Sequence, residues 1–377
     1  MKTAVPKESA KFEKRVAASP ETVKKFVALG FEVSVEKDAG VLSNVTDTMF
    51  KDAGATIAKS YADTIKDADV VLKVQIPSVS EAKSLKKGML LTALMTPQAN
   101  KKIITDMAKT GVTTCSLELI PRISRAQSMD VLSSQSNLAG YKAVLDATEV
   151  FERAIPMMMT AAGTIPPARV LVLGAGVAGL QAIATAKRLG AVVSAFDVRP
   201  AAKEQVESLG ASFVQVEDEN ADSNDTVYAK EMTEDYKKRQ AQKIHDTLKK
   251  SDIAICTALI PGKPAPRLIT KPMIKDMKQG AVIVDMAVES GGNAELSKVN
   301  EIVEHEGVKI LGHPNMASRV AEDASRLFAK NLLNLLTPLF TMENGKATAI
   351  NLNFDDEIVK GCVLTHDGEI VHDLLKA

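Results

Sequence analysis

The chain has 377 residues, of which 45% are hydrophobic, and its 47 basic residues balance its 47 acidic ones. This length suits two ordinary domains better than one, and the zero net charge provides no general attraction for nucleic acid or an anionic membrane. The sequence contains no run of about eighteen apolar residues, which a membrane helix requires. Its charged N-terminus differs from a secretory signal. We therefore expect a soluble intracellular protein with no nucleic-acid binding and no direct membrane insertion.

The cysteines predict neither a metal site nor a disulfide framework. Cys115, Cys256 and Cys362 are far apart in the sequence, are odd in number and lack metal-ligand spacing. Buried, reduced thiols in an intracellular protein explain them best.

Strand and helix signals alternate through the first third of the chain. One helix is predicted to begin at Ser19-Pro20, a capping residue followed by proline, and to end before Gly30. Such alternation is typical of a parallel sheet covered by helices on both faces. The strands predicted here are residues 3–5, 31–35, 70–74, 89–94 and 112–117.

A second alternating series follows a predicted connecting helix over residues 134–153. The fold class is therefore α/β, with two Rossmann-like, doubly wound parallel-sheet domains joined by long helices. The strands predicted in the second series are residues 170–173, 192–196, 253–256, 282–285 and 309–311.

Residues 319–340 have an apolar stripe at helical spacing. We predict that this helix returns the chain to the first domain, with strands near 350–354 and 361–364. A helix that packs only on its own domain fits the pattern equally well. The predicted domains are 1–133 plus 320–377, and 134–319.

Residues 217–242 interrupt the alternation with a polar, strongly charged segment whose aromatic residues are Tyr228 and Tyr236. Connections in such folds usually have about two to six residues, so a longer one is functional or disordered. A solvated insertion that carries an ordinary helix is the alternative interpretation.

A glycine-rich turn is the clearest signal of a ligand. The buried strand 170–173 leads directly into Gly174, Gly176 and Gly179, and a helix follows. In a dinucleotide site the first glycine makes the turn, the second lets the backbone approach the pyrophosphate, and the third allows close packing. The following strand ends at Asp197, which completes the signature.

Asp197 predicts NAD rather than NADP as the nucleotide. Its carboxylate can accept hydrogen bonds from the adenosine ribose hydroxyls and would repel a 2′-phosphate. Arg199 gives a competing signal, because an arginine there could bind that phosphate. We expect the carboxylate to dominate.

A dehydrogenase acting on a hydroxy or amino acid needs an acid/base beside the nicotinamide. Among the five histidines, His313 after a predicted strand is the only plausible candidate, although a structural histidine is the commoner interpretation. Either another residue acts, or the hydride acceptor needs no proton.

Residues 121–141, with the sequence PRISRAQSMDVLSSQSNLAGY, closely resemble proton-translocating NAD(P) transhydrogenase. The similarity is to its peripheral NAD(H)-binding component, the alpha subunit or domain I. Residues 156–164 and 257–266 also resemble that family, and the likeness runs from residue 5 almost to the C-terminus.

The resemblance implies a Re/Si-specific oxidoreductase and translocase that is active only with partner subunits. Hydride would pass directly from NADH on this chain to NADP+ held by a separate domain III. The membrane-spanning domain II would couple this step to proton translocation. The resemblance also implies a homodimer, held by its partners at the cytoplasmic or matrix-like face of the membrane. Hydride transfer between two nicotinamides involves no proton transfer, so positioning suffices.

The resemblance further implies the site residues. Arg122 and Asp130 would orient the nicotinamide end, and Gln127 would bridge towards the partner nucleotide. Residues 217–242 match the family's mobile loop, with Val227 where relatives often have glycine. The remaining implied nucleotide contacts are Ile123, Ser124, Ser128, Met129, Ser133, Gly174, Gly176, Val177, Ala178, Gly179, Asp197, Val198, Arg199, Tyr228, Gln240 and Leu259.

An amino-acid dehydrogenase similar to alanine dehydrogenase is the second hypothesis. That enzyme has a substrate-binding arginine and lysine, which Arg15 and Lys73 match, and a catalytic histidine and aspartate, whose positions hold Met95 and Glu289. A regulatory NAD-binding module without chemistry is the third hypothesis.

Overall fold

The computed structural model describes residues 1–216, 234–260 and 262–376. Tyr228 and most of the predicted mobile loop therefore lie outside the described residues. The strands are β1 (Lys2–Val5), β2 (Glu32–Glu36), β3 (Thr56–Ala58), β4 (Val70–Gln75), β5 (Leu90–Leu94), β6 (Thr113–Ser116), β7 (Met158–Thr160), β8 (Gly163–Ile165), β9 (Arg169–Leu173), β10 (Val192–Phe196), β11 (Ser212–Phe213), β12 (Ile253–Cys256), β13 (Val282–Asp285), β14 (Ile302–His305), β15 (Val308–Leu311), β16 (Phe340–Glu343), β17 (Lys346–Ile350), β18 (Val363–His366) and β19 (Glu369–Ile370).

The α-helices alternate with these strands through most of the chain. In chain order they are α1 (Pro20–Ala28), α2 (Asp47–Asp52), α3 (Tyr61–Ile65), α4 (Val79–Ala82), α5 (Lys101–Lys109), α6 (Val131–Val150), α7 (Val177–Arg188), α8 (Ala202–Ser208), α9 (Glu234–Leu248), α10 (Lys271–Lys275), α11 (Ala321–Leu336), α12 (Glu357–Cys362) and α13 (Asp373–Lys376). Within the described ranges, none of the helices is both long and apolar enough to cross a membrane.

The chain divides into two compact units, Met1–Gln135 with Ala317–Ala377, and Ser136–Met316. One division falls inside α6, and the other in the 3₁₀ segment Met316–Val320 that precedes α11. The domain boundaries predicted from the sequence, 133/134 and 319/320, fall in the same two elements.

The first unit has a sheet with the strand order β19-β18-β6-β5-β4-β1-β2-β3. Its strands from β6 to β3 are parallel, whereas β18 and β19 are antiparallel additions at one edge. The parallel part has the doubly wound order of a Rossmann fold, with the order reversing at β1. Apolar residues of α11, including Phe328, Leu332 and Leu336, belong to the core of this unit.

The second unit repeats this architecture with the strand order β11-β10-β9-β12-β13-β15-β14. All neighbours are parallel except β14 and β15. The strands β9, β12 and β13 are almost entirely buried, as expected for a sheet covered on both faces. The order reverses between β9 and β12, the position at which such sheets bind ligands. The predicted Rossmann-like fold class is therefore confirmed.

Local signals explain most of the element boundaries. The Ser19 hydroxyl accepts a hydrogen bond from the Thr22 N–H at the start of α1, as its sequence predicts. Gly30 ends that segment with a φ of +91°, which favours glycine.

Three features differ from the sequence-based predictions. The hairpin of β7 and β8 and the edge strand β3 are missing from the predicted set. The strand predicted near 350–354 is wrong, because β17 ends at Ile350 and an irregular segment rich in Asn and Asp follows it. Such residues favour turns, since their side chains compete for backbone hydrogen bonds.

Candidate nucleotide site

The glycine turn joins β9 to α7. Gly174 adopts a φ of +99°, a left-handed conformation that side chains disfavour. A Cβ on Gly179 would lie 1.8 Å from the Gly174 carbonyl oxygen, so only glycine allows α7 to pack this closely. A Cβ built on Gly176 would have nothing within 4 Å. The turn therefore leaves room for a ligand to approach its backbone beside exposed Val177 and half-buried Ala178.

Asp197 lies one residue beyond β10, at the same edge of the sheet as the glycine turn. Its Oδ2 accepts a hydrogen bond from the Ala175 N–H at 2.7 Å, and its Oδ1 accepts one from the Arg199 N–H at 2.8 Å. The structure therefore places the acidic residue directly beside the turn, as the sequence pattern predicts.

Arg199 also forms an ion pair with Asp197. Its Nε lies 2.9 Å from Oδ1 and its Nη2 lies 3.0 Å from Oδ2. Burial alone would raise the pKa of the Asp197 carboxyl, but the hydrogen bonds from Arg199 and from the Ala175 and Arg199 N–H groups lower it below its usual value. The carboxylate therefore stays ionised, and Val198 between the two residues is half-buried.

The polar loop of residues 122–130 forms a 3₁₀ helix over Ser124–Met129. Buried Ala126 and Met129 anchor it in the core of the first unit. The carbonyl oxygen of Ser128 accepts hydrogen bonds from the Asn331 and Asn334 side chains, at 2.8 and 3.0 Å. The residues of this loop that face solvent are Arg122, Ser124, Gln127 and Ser128, and Ile123 is half-buried.

Asp130 fixes the end of this loop to the start of α6. Its Oδ1 accepts from the Ser133 N–H at 2.9 Å and its Oδ2 from the Ser133 hydroxyl at 2.5 Å. These bonds cap α6 in the manner of an N-cap residue. The structure thus presents a rigidly anchored loop with an exposed arginine and an exposed amide.

The other predicted contacts are on separate elements. Gln240 is half-buried on α9, whereas Leu259, three residues beyond β12, is 55% exposed. Tyr228 lies outside the described residues. The predicted contacts around the turn, Gly174 to Gly179 and Asp197 to Arg199, are brought together at one sheet edge.

Arg15 and Lys73 lie buried in the first unit among its own carboxylates. The Arg15 guanidinium donates to Glu13 at 2.8 and 2.6 Å and to the Gln135 side chain at 2.8 Å. The Lys73 Nζ lies 3.2 Å from a carboxylate oxygen of Glu8. Both cations, which would bind substrate in an amino-acid dehydrogenase, are therefore paired internally.

The positions considered for an acid/base have other roles. Met95 is fully buried, and its backbone N–H donates to Glu118. Glu289 is exposed and accepts a hydrogen bond from the Asn315 N–H at 2.8 Å. His313 is half-buried beyond β15. The first two residues are thus engaged elsewhere and do not form a hydroxy- or amino-acid dehydrogenase site.

Thr257 and Asn293 were not assigned a role from the sequence. Thr257 directly follows β12 and bonds to the glycine turn, and the Asn293 side chain bonds to the backbone beside Thr257. The place of Thr257 at the carboxyl end of a strand next to the glycine-turn strand was the available signal for it. Nothing local marks Asn293.

The sequence matches the family Alanine dehydrogenase/PNT, N-terminal domain, over residues 4–139, and Alanine dehydrogenase/PNT, C-terminal domain, over residues 143–373. It is 56% identical over 382 residues to the first of the chains that make up NAD(P) transhydrogenase subunit alpha in Rhodospirillum rubrum, covering 100% of this chain and 99% of that protein. The structure resembles the transhydrogenase of Sinorhizobium meliloti with a TM-score of 0.88 at 51% identity, covering 98% and 100% of the two chains. It resembles an L-alanine dehydrogenase with a TM-score of 0.80 at 26% identity, covering 100% and 98%.

Proposed function

Because the chain belongs to the alanine dehydrogenase/PNT family and is within it a component of an NAD(P) transhydrogenase, we propose that it is the NAD(H)-binding subunit. It passes hydride directly from NADH to NADP+ held by a separate NADP(H)-binding domain III. A membrane-spanning domain II couples this transfer to proton translocation. The reaction is Re/Si-specific and requires the partner subunits.

The observation that carries this proposal is the pairing of Asp197 with the glycine turn. The Asp197 carboxylate lies 2.7 Å from the Ala175 nitrogen, inside the turn, where the ribose of a bound dinucleotide would meet an acidic residue. The open space beside Gly176 fits a pyrophosphate against the backbone. These features favour NAD(H) on this chain.

The chemistry of the site favours hydride transfer between nucleotides over an amino-acid dehydrogenase. Hydride exchange between two nicotinamides requires orientation and no proton transfer. The buried Met95 side chain cannot act as an acid/base, and Arg15 and Lys73 already pair with internal carboxylates. An alanine-dehydrogenase activity is the alternative that the experiment below tests.

We assign the nicotinamide end to the loop of residues 122–130. Arg122 and Asp130 orient that end, and the exposed Gln127 amide bridges towards the partner's nucleotide. The anchoring of the loop through Ala126, Met129 and the Asp130 cap supports this role, because hydride transfer depends on closely held geometry.

We also propose that the subunit is a homodimer, held by its partners at the cytoplasmic or matrix-like face of the membrane. The hairpin of β7 and β8 supports the dimer, because Met158, Met159 and Ile165 are 47%, 73% and 44% exposed on it. Exposed apolar patches of this kind mark association surfaces. Light scattering at micromolar concentration should give twice the single-chain mass of 40.3 kDa. Finding the single-chain mass would contradict the dimer.

A reconstitution tests the proposed function. The chain is mixed with an NADP(H)-binding domain III, and NADH-dependent reduction of an NADP+ analogue is followed. We expect turnover only in the mixture, and Gln127→Asn should slow it roughly a hundredfold while the NADH dissociation constant stays within a few-fold. Far-ultraviolet circular dichroism checks that the variant is folded.

The same preparation is assayed with pyruvate, ammonium and NADH. Reductive amination by the isolated chain would establish the alanine-dehydrogenase alternative. NADH binding without turnover in the presence of domain III would indicate a regulatory module.

A further inference from the structure

Thr257 lies directly across the sheet from the glycine turn. It follows β12, which pairs with β9 so that Cys256 lies opposite Leu173. The Thr257 N–H donates to the Leu173 carbonyl oxygen at 2.8 Å. The Thr257 hydroxyl is shared between the Leu173 and Gly174 carbonyl oxygens, at 3.2 and 3.0 Å. One side chain therefore bridges the last residue of β9 and the first glycine of the turn.

The Gly174 carbonyl that Thr257 contacts also touches the nucleotide-binding helix. A Cβ on Gly179, in the first turn of α7, would lie 1.8 Å from the Gly174 oxygen and 3.2 Å from the Thr257 Oγ1. The hydroxyl, the carbonyl oxygen and the Gly179 backbone are thus packed in one contiguous row. Any displacement of the Gly174 carbonyl must shift the first turn of α7, because interiors packed this closely do not absorb it.

Asn293 holds Thr257 in place from the opposite side. It is fully buried, and its side-chain amide accepts from the Ala258 N–H at 3.1 Å and donates to the Ala258 carbonyl oxygen at 2.9 Å. It also donates to the Pro266 carbonyl oxygen at 2.8 Å. The residue after Thr257 is therefore clamped through both of its backbone groups. A continuous line of contacts runs from Asn293 through Thr257 to Gly174 and Gly179.

We propose that Thr257 is a positioning residue for the nucleotide, whose hydroxyl fixes the Gly174 carbonyl and with it the first turn of α7. This inference rests on the proposed function, since it assigns the glycine turn to NADH. Backbone N–H groups at a helix N-terminus bind a pyrophosphate well only when they are held in register. Thr257→Val replaces the hydroxyl with a methyl group of similar size, which cannot donate and cannot approach the carbonyl as closely.

The test compares NADH binding by the full chain and by three variants. The chain contains no Trp, so the emission of bound NADH is measured without tryptophan fluorescence. Thr257→Val should bind NADH roughly three- to tenfold more weakly, the effect of one lost hydrogen bond. Thr257→Ser keeps the hydroxyl and should restore affinity to within about twofold.

Thr185→Val is the matched control. Thr185 is 5% exposed on α7, and its hydroxyl donates to the Gln181 carbonyl oxygen at 2.8 Å without contacting the turn. This variant also loses a largely buried hydroxyl, so it should lower the thermal midpoint without changing the NADH dissociation constant. A merely structural role for Thr257 predicts the same behaviour in Thr257→Val.

The outcomes separate the inference from the function on which it rests. Equal NADH affinity of the wild-type and Thr257→Val chains, or equal loss in Thr257→Val and Thr257→Ser, would overturn the inference and leave the function standing. No NADH binding by the folded wild-type chain would overturn both. Thr257→Ala removes the hydroxyl without adding a methyl group at the carbonyl, and replaces Thr257→Val in the comparison if that variant does not fold.

Discussion

At the scale of single residues, Asp197 already has its hydrogen-bonding capacity filled. A carboxylate has about four lone-pair sites, and the Ala175 N–H, the Arg199 N–H and two guanidinium nitrogens of Arg199 approach them. A ribose hydroxyl must therefore replace the bonds from the Arg199 side chain. The competition between Asp197 and Arg199 that the sequence suggested thus appears in the structure as a direct ion pair.

Substitutions at this pair should change nucleotide selectivity in opposite directions. Asp197→Ala should reduce the preference for NADH over NADPH by about 1–3 kcal/mol, because the bonds to ribose and the repulsion of the 2′-phosphate are both lost. Arg199→Ala should widen the preference, because no cation then neutralises Asp197 or meets the phosphate. Calorimetric titration of both nucleotides measures the ratio. An unchanged ratio in Asp197→Ala would show that another residue selects the nucleotide.

Glu13 makes the stability of the first unit sensitive to acid. Burial would raise the pKa of Glu13, but hydrogen bonds and charge attraction from Arg15 outweigh it and lower the pKa from 4.5 to about 2. Because folding lowers this pKa, the stabilisation is present above about pH 4.5 and is lost as the pH falls towards 2. The shift corresponds to about 3 kcal/mol at neutral pH.

Glu13→Gln should therefore lower the free energy of unfolding by about 3 kcal/mol at pH 7, and by about half as much at pH 3. The variant leaves the buried Arg15 guanidinium without its counter-charge. Urea unfolding followed by circular dichroism measures both values, with the exposed Glu21→Gln as control. A loss that is the same at both pH values would show that the ionisation of Glu13 is not its source.

At the scale of elements, alternation of strands and helices predicted both sheets well, because parallel strands buried on two faces appear as short apolar runs. The same reasoning failed for the hairpin of β7 and β8, which is exposed throughout and has no buried face to pattern it. The glycine turn and Asp197 were predictable, since their signature is local. Thr257 and Asn293 were not, because their partners lie 83 and 35 residues away in the chain.

The packing of α6 on α7 depends on a single glycine. A Cβ on Gly140 would lie 2.0 Å from the Ala178 carbonyl oxygen, in the first turn of α7. Gly140→Ala should therefore destabilise the second unit by about 1–3 kcal/mol through overpacking and should weaken NADH binding. Thermal melts and NADH titration measure the two effects.

Ala147→Gly on the same helix is the control for Gly140→Ala. Ala147 is fully buried, so this change also destabilises the chain but places no atom against α7. Its NADH affinity should remain unchanged. If Gly140→Ala binds NADH as well as the control does, the contact between α6 and α7 has no part in binding.

At the scale of the whole molecule, a nucleotide-binding chain without an evident acid/base is suited to a reaction whose other reactant arrives on a partner. Met95 is buried at the position where a dehydrogenase needs a histidine. A nicotinamide on a separate subunit accepts hydride without a proton. This division of labour explains why the chain combines a Rossmann-type glycine turn with an anchored polar loop and leaves the exposed Gln127 amide available to a second nucleotide.

The fate of the hydrogen at C4 of NADH tests this account most directly. The chain is mixed with an NADP(H)-binding domain III, NADP+ and NADH that carries deuterium at both C4 positions, in ordinary water. The NADPH formed is then analysed by mass spectrometry. We predict that every molecule of NADPH formed contains one deuterium, because the hydride passes directly from one C4 atom to the other. NADPH that contains hydrogen from the solvent, or no NADPH at all, would contradict the account.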